Sequence, residues 1–138
     1  MSNRMLGPLA AAVLLLAPSA WAQGAGSAKE PESDGRKLSE WVADLKARAP
    51  QTRNAAAYEI SGMGPAAAPA VPALIEALSD PEATVRFPVT VALGEIGPAA
   101  KAAVPKLKQM MDEEINDEIA AGARRALRRI QPDAVSSE

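Results

Sequence analysis

Apolar positions between residues 38 and 131 recur at the spacing of one helical face, and that recurrence itself repeats. Val89, Leu93 and Ile96 stand at i, i+4 and i+7, and Val71, Leu74, Ile75 and Leu78 form a second stripe of the same period. The pattern predicts a helix over about 38–48, helix pairs at 53–63 with 70–79 and 84–96 with 103–113, and a closing helix at 117–130.

The repeat has a fixed register. The run from Arg53 through Ile60, Met63, Gly64 and Pro65 aligns without a gap on Arg86 through Leu93, Ile96, Gly97 and Pro98. It continues into Ala70-Val71-Pro72-Ala73-Leu74 against Ala103-Val104-Pro105-Lys106-Leu107. One residue further out of step, Leu127, Ile130 and Pro132 match Leu93, Ile96 and Pro98, while Trp41, Val42 and Leu45 precede Leu74, Ile75 and Leu78. Each unit therefore reads as two helices. Gly97 offers left-handed geometry where the first helix ends, and Pro98 cannot continue it. The second helix opens with Val-Pro, where proline costs no hydrogen bond. Alanines 55–57 suit close helix crossings. One hairpin cannot bury its own apolar face, so stacking must supply the stability. The expected fold is all-α: an α-solenoid, or αα-superhelix, of about three stacked hairpins.

These residues resemble a known family. Leu93-Gly94-Glu95-Ile96-Gly97-Pro98, followed by Ala103-Val104-Pro105 and preceded by Asp80-Pro81 with Val85-Arg86, is similar to the HEAT-like repeats first grouped with phycobilisome lyases. The resemblance implies an armadillo-like solenoid that serves as a scaffold or protein-binding surface, and a structural role for Asp80 and Arg86 in tying the inter-repeat turn to the next helix. Arg53 recurs in register with Ala47 where its acid is expected. Other departures are Ser61 and Gly62 in place of Gly94 and Glu95, Gln131 in place of the capping glycine, and a third unit with no second helix. Pro88 predicts a first helix that starts late, near Thr84, or kinks.

The ends read differently. Arg4, the apolar stretch from Leu6 to Ala17, the breakers Pro18 and Ser19, and the small residues of Ala20-Trp21-Ala22 compose a secretory signal peptide over 1–22, with cleavage before Gln23. Its apolar run falls short of the roughly 20 residues that span a bilayer, so the expectation is an exported, periplasmic or extracellular protein with no membrane span after cleavage. Residues 23–37 are polar with three glycines and a proline, which predicts a flexible linker, and 132–138 predict a disordered tail.

Composition narrows the chemistry. Hydrophobic residues make up 48% of the 138 but aromatics only 3%, so alanine and aliphatic side chains must fill the core. There is no cysteine and no histidine, which removes disulfides, thiolate sites and the commonest general base and metal ligand. The formal charge is −2; loss of 1–22 takes one of 15 basic residues and none of 17 acidic ones, leaving −3. Neither value points to nucleic acid. Arg124, Arg125, Arg128 and Arg129 form one dense basic cluster, but with no aromatics interleaved it reads as a solvated helix face, with Glu113 and Glu114 near enough to pair. Asp112 to Glu118 lacks the order and the glycine of a calcium loop, and Met110-Met111 reads as core packing. No phosphate loop or nucleophile elbow appears.

No catalytic residue, cofactor or metal ligand is therefore expected, and function falls to binding an unidentified protein partner. If the second helices line the concave face, Ala73, Glu76 and Ser79 in one repeat and Lys106, Gln109 and Asp112 in the next meet that partner. The alternatives are an envelope protein that stacks end to end on itself and, by family analogy alone, a chromophore lyase or its accessory.

Overall fold

In the computed structural model, residues 29–135 are described; the expected signal peptide and the last three residues lie outside them. A short antiparallel hairpin, β1 (Glu32–Ser33) and β2 (Arg36–Lys37), leads into α1 (Leu38–Asp44). Then come α2 (Pro50–Gly62), a 3-10 segment (Gly64–Ala70), α3 (Val71–Ala77), α4 (Ala83–Ile96), a second 3-10 segment (Gly97–Ala103), α5 (Val104–Glu113) and α6 (Asp117–Ile130). A last 3-10 turn (Pro132–Val135) follows.

The helices form two layers. The first helices α2, α4 and α6 pack side by side, with α4 in the middle, and the second helices α1, α3 and α5 lie against them. The core follows the repeat register: Ile60, Leu93 and Leu127 are fully buried in successive first helices, as are Leu74 and Leu107 in successive second helices. Ala67 and Ala100, and Ala70 and Ala103, are also fully buried, so small side chains let the two 3-10 segments pack closely together. The stripes expected from the sequence are the buried faces. Of Ala55, Ala56 and Ala57, only the last two are buried; Ala55 is exposed.

Two glycines turn the chain from the first helix of a unit toward its second. Gly64 and Gly97 have φ of 57° and 78°. At Gly97 ψ is −145°, outside the left-handed helical well and in a region that essentially only glycine enters. Gln131 takes that place in the last unit; its φ of −151° is ordinary extended backbone, and the chain leaves α6 without such a turn.

Pro88 neither delays nor breaks α4, which begins at Ala83. Proline has no N–H to give the carbonyl four residues back, which here is that of Thr84. The Asn54 side-chain amide donates to that Thr84 carbonyl from the neighbouring repeat. The lost helical bond is thus replaced by one that ties two repeats together.

Residues 29–37 of the expected flexible linker are ordered. Asp34 and Gly35, with φ of 48° and 72°, make the tight turn of the hairpin. The Trp41 indole N–H donates to the Ser33 carbonyl at 3.1 Å, and the Ser33 hydroxyl donates to Glu59 at 2.7 Å. Arg36 stacks 4.0 Å over the Trp41 ring and pairs with Asp44 at 2.8 Å. Composition alone pointed to disorder because it cannot report the contacts that residues 29–37 make with α1 and α2. Part of the expected tail is likewise ordered, since Ala134 and Val135 pack on the core.

Candidate interaction surfaces

Of the six residues expected to meet a partner, Ala73 and Glu76 lie on α3, Ser79 in the turn just after it, and Lys106, Gln109 and Asp112 on α5. Ala73, Glu76 and Ser79 line a shallow groove of about 320 Å³ between α1 and α3, together with Lys46 and Asp80. Lys106 and Gln109 line the next groove, about 170 Å³, between α3 and α5, with Leu78, Met110 and Glu113. Asp112 is exposed on α5 but lines neither groove. The grooves are polar-edged. Lys46 reaches Glu76 at 3.2 Å across the first, and in the second Lys106 donates to Gln109, which donates to Glu113 at 2.9 Å. Sequence reasoning missed Lys46 as a groove residue, although its place, 33 residues before Ser79, was available from the register.

The turns between repeats carry the strongest electrostatics. Arg53, in the first turn of α2, donates from Nη1 to the Ala47 and Arg48 carbonyls and grips Asp80 with its other two nitrogens at 2.6 and 3.0 Å. Arg86, in the first turn of α4, repeats the arrangement: Nη1 donates to the Asp80 and Pro81 carbonyls, and Nε and Nη2 hold Glu114 at 2.9 and 3.0 Å. Each arginine thus clamps its own entry turn to the next one. Arg53 has an acid after all, supplied from the following turn rather than its own. Glu114 belongs to Arg86 rather than to the α6 arginines, because the clamp reaches one repeat forward. Ala120 stands where a third arginine would be, so the ladder ends at α6.

These acids are tuned. Burial alone would raise the Asp80 carboxyl, but the Arg53 hydrogen bond, the Glu82 amide and nearby arginine charge hold it below its ordinary value. The Arg86 hydrogen bond lowers Glu114 against a smaller opposing effect of burial, with the Asn116 amide helping. The Asp80 hydrogen bond raises Arg53 in turn. A carboxylate with a depressed folded-state pKa stabilises the fold above its unfolded pKa, about 4, and that stabilisation is lost as pH falls toward the folded value. The melting temperature should therefore drop by several degrees on acidification through and below that range. Asp80→Asn with Glu114→Gln should melt lower at neutral pH and lose less on acidification; an unchanged acid slope would contradict the assignment.

The first-helix layer carries two further grooves. One, about 340 Å³, is lined by Asn54, half-exposed Tyr58, Phe87 and Glu118. The other, about 330 Å³, runs between α4 and α6 past Val91, Gly94, Glu95, Arg125, Arg128 and Arg129. The basic cluster is a helix face as expected, but three of its four arginines border this groove. The acidic run 112–118 behaves as a helix connection: Asn116 caps α6 by accepting from the Glu118 and Ile119 amides. Met110 is buried and Met111 packs on the core.

Among the described residues no cluster of acidic, cysteine or histidine side chains could hold a metal ion, and no helix is long and apolar enough to cross a membrane. Asp80 and Glu114, the two acids moved from their ordinary range, are both satisfied inside the clamps. A family model described as HEAT repeats matches residues 38–128. No curated protein and no solved structure matches.

Proposed function

Because this chain belongs to the HEAT-repeat family, we propose that it is an exported, non-enzymatic module that docks a partner protein along its second helices. HEAT repeats are commonly protein-interaction or scaffold modules, which fits the absence of histidine and cysteine here. The observation that carries the choice of surface is the pair of successive grooves beside α3 and α5. They place Glu76 and Gln109, equivalent residues of two repeats, on exposed ridges one repeat apart. Such spacing suits a partner that runs across the repeats. The surface is short, so a contact of the small, transient class is expected.

Export rests on residues 1–22, and mature protein should begin at Gln23. End-to-end stacking fits less well. Stacking on α6 would need an exposed apolar face there, whereas exposed Arg124 gives that helix a charged exterior. The absence of cysteine and histidine disfavours the phycobilisome-lyase type.

The test is affinity capture of the tagged chain from an extract of its own envelope fraction. A reproducible partner should be retained by wild type and lost by Glu76→Lys with Gln109→Lys, with circular dichroism unchanged. Capture of no partner, or of one indifferent to both substitutions, would count against this surface.

A further inference from the structure

We propose that the groove between α4 and α6 is a second docking site, which takes an acidic amphipathic peptide segment of a partner protein. The inference rests on the chain being a protein-binding module, but not on the second-helix surface. Its floor is apolar, formed where Gly94 and Gly122 let α4 and α6 approach closely, with Val91 and Ala126 beside them. Its rim is basic: Arg125, Arg128 and Arg129 face a single acid, Glu95, and Glu95 is already held by Arg129 at 2.8 Å.

Arg125 and Arg128 form no ion pair or hydrogen bond among the described residues. The helix dipole accounts for Arg128 and Arg129 in the last turn of α6, but not for Arg125, which precedes it. Two guanidinium groups one helical turn apart, unpaired among the described residues, on a chain of net charge −2, make a local positive field beside an apolar trough. Arginine forks bind carboxylates two bonds at a time. A segment that presents acids one turn apart and an apolar side chain between them satisfies both features. A nucleic acid does not, because the lining holds no aromatic ring on which a base could stack.

The probe is a fluorescent peptide of repeated Leu-Glu-Glu units, titrated with the full chain by anisotropy, beside its Leu-Gln-Gln counterpart and phosphatidylglycerol vesicles. The acidic peptide should bind, more weakly at high salt. Arg125→Ala with Arg128→Ala should weaken it about tenfold or more with circular dichroism unchanged, and Glu95→Gln, which releases Arg129, should tighten it. Equal binding of the glutamine peptide, equal binding by the double arginine variant, or binding of vesicles only would overturn the proposal. Loss in Glu76→Lys with Gln109→Lys instead would also overturn it, while leaving the second-helix reading intact. Peptide binding that persists when no envelope partner is captured would leave this site standing and remove the other.

Discussion

Leu93→Asp should leave the chain without a cooperative thermal transition and with most of its helical circular dichroism lost. Leu93 is fully buried in the middle first helix, at the register position of Ile60 and Leu127 on either side. Removing a buried leucine side chain costs about 2–5 kcal/mol, and an unpaired carboxylate in its place adds several kcal/mol more or must take up a proton to avoid it. The sum is comparable to the roughly 5–15 kcal/mol that holds a domain together. Glu76→Lys, on the exposed surface, should leave the spectrum and the melting temperature nearly unchanged. A folded Leu93→Asp protein would mean that α4 is not the centre of the stack.

Gly122→Leu should be the next most damaging change, at about 3 kcal/mol, with Gly122→Ala costing about 1 kcal/mol. A Cβ at position 122 would sit 2.7 Å from the Thr90 hydroxyl oxygen. That hydroxyl cannot easily step aside: Thr90 is fully buried and donates to the Phe87 carbonyl at 2.7 Å. The cost must exceed the gain of up to about 1 kcal/mol that alanine usually brings over glycine in a helix. Gly62, exposed at the end of α2 with open space around its Cβ position, has no such neighbour, so Gly62→Ala should be neutral or stabilising. The decisive comparison is a cycle with Thr90→Ala, in which Gly122→Ala should lose most of its penalty. Additive effects in chemical denaturation would rule out this contact as the cause.

The layers and the register were legible because the repeat shows the same apolar face again and again. Leu74 with Leu107, and Ile60 with Leu93, lie where a helical period puts them. What the chain does across repeats was less legible. Arg53 looked unpaired because its acid, Asp80, lies 27 residues ahead rather than in its own turn. Asn54 gave no hint that it would answer the carbonyl that Pro88 leaves open. The hairpin before α1 was missed because its order comes from Trp41, Asp44 and Glu59, contacts that composition cannot report. The α4–α6 groove left one trace in the sequence, a glycine inside each of two neighbouring first helices. Glycine at such places is costly unless two backbones approach closely. At Gly94 they do, since a Cβ there would lie 3.2 Å from Ala126 Cα.

The central claim is that this stack of repeats is a protein-binding surface and that its second helices make the contact. Hydrogen exchange on the chain with its captured partner measures this most directly. Added protection should concentrate in α3 and α5, around Glu76 and Gln109, and vanish when both are changed to lysine. Protection confined to other elements, or no change on adding the partner, would contradict it.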